Sequence, residues 1–165
     1  MFSKKYLLND LILDAKNLSP RTQILLSGTL YTARDAAHKN IIASLDKNEE
    51  PPFPLKNSAI YYCGPSPAAP GQIIGACGPT TSLRMDIFTP RLLKEGVKVF
   101  IGKGKRADFV MRDLKKHNAL YLSAAGGIAA LLSQTVRKAQ LLCFKELGTE
   151  AVYKLEVEDM PLIVN

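Results

Sequence analysis

Tryptophan is absent from this sequence, and the remaining aromatics make up only 7% of its 165 residues. Cysteine is scarce. The three present, Cys63, Cys77 and Cys143, are an odd number without C-x-x-C spacing. That excludes a disulfide-rich secreted scaffold and makes free thiols in a reducing compartment the expectation. Long apolar runs are missing too: no stretch approaches the roughly 18 residues of a membrane span. The N-terminus, MFSKKYLLND, lacks the longer apolar region and small-residue cleavage site of a secretory leader. The chain therefore reads as cytoplasmic, without a membrane partner. No internal repeat or low-complexity tract occurs, and the phosphate-cradling pattern G-x-x-x-x-G-K-[ST] is not found.

What is present is ordinary globular material. Apolar residues are 47% and charged residues 22%, close to the usual average, and the length fits one domain over 1–165. Such a chain buries about 70% of its unfolded surface and needs no metal or disulfide to hold a core. The net charge of +7 is unevenly spread: nine basic residues against three acids lie between Arg91 and Lys116, whereas the last twenty residues carry five acids and one lysine. A basic block marks either an anionic partner or a solvated helix face. A nucleic-acid or general anion-binding module is one reading of it, although the block holds no recognised nucleic-acid-binding motif.

Apolar periodicity predicts a strand over Gln23–Leu30 and a helix over Thr32–Lys47, with Thr32 as cap and Asp35 completing a capping box. Strands follow at Ala59–Tyr62 and Gln72–Gly75, in a connecting region where seven of the ten prolines fall between Pro51 and Pro79. A helical stretch over Thr81–Lys94 is split at Pro90 and stopped by Gly96. Val97–Ile101 reads as a strand, and Arg106–His117 as an amphipathic helix with Phe109, Val110 and Leu114 inward. A strand at Ala119–Leu122, a turn at Gly126-Gly127, a helix over Gly127–Thr135 and strands at Gln140–Phe144 and Ala151–Val157 complete the reading. Helices alternating with short apolar strands predict a mixed α/β fold, a partly antiparallel sheet flanked by helices.

Three clusters have residue types suited to chemistry. In YTARDAAHKNI, Arg34 and His38 are four apart on one helix face, beside a helix start whose free N–H groups favour anions. They form either a carboxylate clamp or a solvated arginine above a core histidine. In GPTTSLRMD, three hydroxyls at a helix start precede Arg84, giving either an anion site or ordinary capping. In IGKGKR, Lys103 stands between two glycines at a strand end. The cysteines are more simply buried thiols than cluster ligands.

Taken together, LSGTLYTARDAAHK, IYYCGPSPAAPGQIIGACGPTTSLRMD, VFIGKGK, YLSAAGGIAALL and ELGTEAVYKLEVEDMPLIV resemble, in content and order, the C-terminal domain of class I (iron–sulfur) fumarases. The same domain exists as the separate β subunit of two-subunit fumarases and of L(+)-tartrate dehydratases. The resemblance covers about residues 5–165. It implies a swivelling β/β/α domain and a reversible, stereospecific loss of water from a 2-hydroxy dicarboxylate: L-malate to fumarate, or in the alternative L(+)-tartrate. It further implies a [4Fe-4S] cluster held by three cysteines of a partner α subunit, no metal ligand in this chain, and an αβ unit paired to α2β2.

The family's carboxylate-binding arginines fall on Arg34 and Arg84, with Thr81 beside them, and its lysine falls on Lys103. The proton-abstracting threonine falls on Thr80, whose hydroxyl needs Lys103 or a relay to lose its proton. Asp35 and His38 fall in the same helix motif, in supporting roles that orient Arg34 or meet the partner subunit. Two Arg and one Lys would balance a buried dianion and stabilise the charge that builds on a carboxylate during proton abstraction. The sequence departs from the family pattern at Leu83, where a small residue is common, and at Cys63 and Cys77, where alanine is frequent.

Overall fold

The computed structural model describes residues 4–124 and 127–165. The chain runs β1 (Lys4–Leu7), α1 (Leu8–Leu13), β2 (Gln23–Thr32), α2 (Asp35–Asp46), β3 (Ala59–Tyr61), α3 (Thr89–Lys94) and β4 (Val99–Gly102). It continues through α4 (Asp108–Lys116), β5 (Leu120–Ser123), α5 (Ala129–Ser133), β6 (Val136–Cys143) and β7 (Val152–Val164). Short 3₁₀ turns occupy Ala15–Asn17, Ser82–Met85 and Lys145–Glu150.

The seven strands form one mixed sheet in the order β1-β2-β3-β4-β5-β7-β6. β2, β3, β4 and β5 are parallel in sequence, and β7 returns antiparallel to β5 and β6. β7 also pairs with β2 over its length, from Gln23↔Ile163 to Tyr31↔Lys154. The ladder β2-β3-β4-β5-β7 thus closes on itself into a ring.

Closure explains the burial pattern. Alternate strand residues point to opposite faces, and in β3, β4 and β5 both faces are covered. Leu26, Leu30, Ala59, Tyr61, Val99, Ile101, Leu122, Leu155 and Met160 fill the interior of the ring. Ile60, Tyr62, Phe100 and Tyr121 point outward, against Ala37, Ile41 and Leu45 of α2, Leu92 of α3, and Val110 and Leu114 of α4. Strands covered on both faces read as unbroken apolar runs, which is why AIYY, VKVFI and ALYL stand out in the sequence.

Several expectations change. Thr32 is not a helix cap: it ends β2, and its Oγ1 accepts the Tyr153 N–H at 2.9 Å. α2 starts three residues later, and the Ala36 N–H donates to Glu150 Oε1 at 3.4 Å. Long-range pairing with β7 outcompeted the local cap. Gln72–Gly75 is loop rather than strand, its arms tied by Ser66 and Ala76 instead of a ladder. Phe109 is 43% exposed, because the buried face of α4 runs through Val110 and Leu114. β6 and β7 are longer than predicted, and β1 and α1 add elements ahead of β2. The split at Pro90 holds: a 3₁₀ turn precedes α3, and the proline sits in the first turn of α3. The Gly126-Gly127 turn falls partly outside the described residues, since Gly126 is not among them. Among the described residues no helix is long and apolar enough to cross a membrane.

Candidate functional site

The C-terminal ends of parallel strands are where α/β folds, open or closed, place their sites, and the sequence motifs converge there. Beyond β3, the Tyr62 carbonyl accepts the Thr80 N–H at 2.6 Å. The Thr80 carbonyl accepts the Lys103 N–H at 3.2 Å, and the Lys103 carbonyl accepts the Ser82 N–H at 2.9 Å. Thr80–Ser82 is therefore wedged as an extra rung between the ends of β3 and β4, with Thr81 and Lys103 bridged in parallel. Gly102 makes the wedge possible: a Cβ there would collide with Ser82 Oγ and lie 2.8 Å from Tyr62 Cδ2. Thr80 and Lys103 share a backbone rung, but among the described residues no hydrogen bond joins their side chains. Lys103 and Thr81 are exposed and Thr80 is half-buried.

Arg84 projects from the Ser82–Met85 turn toward α2. Its Nε and Nη2 donate to Asp35 Oδ1 and Oδ2 at 3.0 and 3.1 Å. The fork holds the Asp35 carboxyl below its ordinary range. It uses one edge of the guanidinium and leaves the Nη1 edge for another acceptor. Asp35 thus orients Arg84, not its neighbour Arg34. Arg34 precedes α2 in extended conformation and lies across Gly64, where a Cβ would sit 3.0 Å from Arg34 Cδ. Its Nε is 3.9 Å from Glu150 Oε1 and makes no hydrogen bond among the described residues. Leu83, beside Arg84, is exposed on the same turn.

His38 lies under this surface, fully buried between the rings of Tyr62 and Phe88 at 5.5 and 5.3 Å. Its Nδ1–H donates to the Arg34 carbonyl at 2.7 Å, and Nε2 has no partner among the described residues. Burial pushes the imidazole down to about 4. It is a neutral anchor for the backbone of Arg34.

The residue that sequence reasoning missed most clearly is Arg106. It belongs to the basic block, yet its side chain is fully buried and faces the rings of Tyr62, Tyr121 and Phe100. Its Nε donates to Asp86 Oδ1 at 2.5 Å and its Nη2 to Thr89 Oγ1 at 2.6 Å, while Asp86 Oδ2 accepts the Ala107 N–H. Ser82 Oγ donates to the Tyr121 hydroxyl, which donates in turn to the Gly104 carbonyl. The segment carrying Lys103 is thus clamped to the turn carrying Arg84. The RMD tripeptide held the only local hint, an acid two residues after Arg84. Glu150, which caps α2 and faces Arg34, was visible only as one letter of ELGTEAV.

Besides Arg106, two residues of the basic block are engaged within the fold. Arg91 pairs with Glu95 and Asp46, and Lys98 donates to the His117 carbonyl. An iron–sulfur cluster does not fit the cysteines of this chain. The Cys63 and Cys77 sulfurs touch at 3.0 Å inside the core, with no room for a cluster between them. Contact with Cys77, then burial, push the Cys63 thiol well above its ordinary value, although a ligand must be a thiolate. Cys143 is on β6. Among the described residues no group of three or more His, Cys, Asp or Glu is placed to hold a metal ion.

Comparison with known proteins gives a consistent picture. A family model described as "Fumarase C-terminus" matches residues 6–165. "Fumarate hydratase 2" of Leishmania major is 41% identical over 145 residues, covering 87% of this chain and 26% of that protein. "Fumarate hydratase class I, aerobic" of Escherichia coli is 37% identical over 145 residues, with the same two coverages. A Methanocaldococcus jannaschii protein provisionally named L(+)-tartrate dehydratase subunit beta is 38% identical over 157 residues, covering 92% of this chain and 80% of that protein. The chain therefore spans about a quarter of the length of the fumarate hydratases it matches.

Proposed function

The chain belongs to the fumarase C-terminus family, and from that membership we propose that it is the β component of an iron–sulfur hydro-lyase that reversibly hydrates fumarate to L-malate. Its partner would be an α subunit carrying the [4Fe-4S] cluster, in an αβ unit paired to α2β2. The observation that carries this reading is the convergence of Arg34, Arg84, Thr80 and Lys103 at the ends of β2, β3 and β4. In this reading Arg34, the Nη1 edge of Arg84, Lys103 and Thr81 bind the substrate carboxylates. Abstracting a proton beside a carboxylate places negative charge on it. Cations fixed in advance stabilise that charge more than they stabilise the substrate. Thr80 is the candidate base, with the neighbouring Lys103 ammonium favouring its deprotonated form. Asp35 and His38 support Arg84 and Arg34.

The test is steady-state kinetics after co-expression with the α subunit. Arg34→Met and Arg84→Met should each keep the fold and lose roughly 30- to several-thousand-fold in kcat/KM, the effect of about 2–5 kcal/mol. Thr80→Val and Lys103→Met should each depress kcat more than they change KM, and the double variant should be little worse than the worse single. Near-normal kinetics in both arginine variants, or full activity of this chain without α, overturns the reading. The tartrate alternative is favoured by one observation: the relative of which this chain covers 80% is named as a tartrate dehydratase subunit. Assaying L-malate and L(+)-tartrate on one preparation decides between them.

A further inference from the structure

The proposed reaction leaves Cys63 and Cys77 unused, yet they are two thiols that the fold holds in contact. Their sulfurs lie 3.0 Å apart and both residues are fully buried. The intervening loop keeps them there. The Tyr61 hydroxyl donates to the Cys77 carbonyl at 2.6 Å, and the Cys77 N–H donates to the Ala129 carbonyl at 3.3 Å. One rung further out, the Ser66 N–H donates to the Ala76 carbonyl at 3.0 Å and the Ala76 N–H to Ser66 Oγ at 2.8 Å. A Cβ on Gly75 would collide with Ser66, so the two arms run close together. The result is a compact loop with touching ends, as in an Ω-loop. Arg34 lies over its first residue, Gly64, and its last leads through Gly78-Pro79 into Thr80.

We infer that Cys63 and Cys77 form a modification site, a dithiol that a peroxide converts reversibly into an intrachain disulfide closing the 64–76 loop. The chemistry balances with hydrogen peroxide as oxidant. As the loop opens to water one thiol gives up its proton, its sulfur attacks a peroxide oxygen, the O–O bond breaks, a sulfenic acid forms, and the departing hydroxide takes that proton to become water. The second sulfur attacks the sulfenic sulfur, the S–S bond forms, and the oxygen leaves as a second water. Two thiols give up two electrons and two protons, and both peroxide oxygens end as water. A disulfide brings its sulfurs to about 2.05 Å, so each side chain moves by about half an ångström and the loop need not be rebuilt. Residues 66–73 are exposed, and local opening of such a loop admits a molecule as small as peroxide.

The test uses the 165-residue chain, reduced under nitrogen and then treated with hydrogen peroxide. Both cysteines fall in one tryptic peptide, 57–84. That peptide should become lighter by two hydrogens, resist alkylation, and recover on treatment with dithiothreitol. Closing the loop should raise Tm by roughly 5–10 °C. Cys63→Ala and Cys77→Ala should abolish both effects, and Cys143→Ser neither. A natively folded chain whose two thiols stay alkylatable overturns the inference. So does oxidation that stops at sulfinic acid, links only through Cys143, or lowers Tm. No activity enters the measurement, so the outcome is independent of the hydro-lyase reading.

Discussion

Two arginine–aspartate pairs grow from one tripeptide and differ in almost everything but chemistry. Arg84 turns outward to Asp35, with side chains 48% and 33% exposed; Asp86, two residues on, turns inward to Arg106, with 5% and 0%. The outer pair is a fork between two elements at the site, with donors left over on Arg84. The inner pair joins Thr89 and the Ala107 N–H in a clasp among three aromatic rings. Water can replace either partner of the outer pair, so it can open for an incoming carboxylate at little cost. Nothing replaces a partner of the inner pair once removed. The first pair is exposed and exchangeable, and the second holds the Ser82–Met85 turn against the segment that follows Lys103.

Breaking the inner pair carries the largest expected effect. Asp86→Asn or Arg106→Met leaves one charge buried without its counterion, which costs about 3–5 kcal/mol. For a chain of this length, Tm should fall by roughly 6–20 °C, read by thermal denaturation. Asp86→Leu combined with Arg106→Met removes both charges and should recover much of the loss. If the double variant is as unstable as the sum of the singles, the clasp is not a charge pair in energetic terms.

The next effect belongs to His38, whose imidazole is held down to about 4 chiefly by burial, with Arg106 adding to the shift. The folded value is below the ordinary 6.5. Unfolded chains therefore bind a proton as pH falls through 6.5, while folded chains do not until about 4. Stability is fully present above pH 6.5 and declines between 6.5 and 4, by roughly 3 kcal/mol in all. Denaturant titrations across that window should show the decline in the native chain and a flatter profile in His38→Gln. Identical profiles would mean that His38 is hydrated and outside the buried group that supports Arg34.

What the sequence reveals follows from the range of the forces involved. Strands covered on both faces announce themselves as apolar runs, so β3 to β5 were legible, as were the apolar start of β2, the mixed fold and the break at Pro90. Thr32 misled because its local capping signal is real, but Tyr153 of β7, 121 residues away, claims its hydroxyl. Gln72–Gly75 misled because a short apolar run within a proline-rich loop has strand composition and no partner edge. At the site, the exposed cations Arg84 and Lys103 were recognisable by motif. Arg106 was not, because an arginine inside a basic block looks solvated until its acid, its threonine and its rings converge from distant parts of the chain.

The smallest expected effect is the sharpest test of the comparison. Asp35→Asn removes the outer charge pair and keeps an acceptor for Arg84. An exposed pair of this kind contributes about 0–1 kcal/mol, so Tm should move by less than about 4 °C. Salt separates the two pairs. Screening at 1 M shortens the Debye length to about 3 Å, so the difference between Asp35→Asn and the native chain should vanish there, while the cost of Asp86→Asn should persist. Acid gives a second check. The Arg84 fork holds Asp35 below its ordinary 3.8, so its contribution is present above that value and is lost as pH falls through the folded one; Asp35→Asn should lack this step. If Asp35→Asn instead lowers Tm as far as Asp86→Asn, and does so equally in high salt, the outer pair is as structural as the inner one, and Arg84 is not free to release Asp35 for a substrate carboxylate.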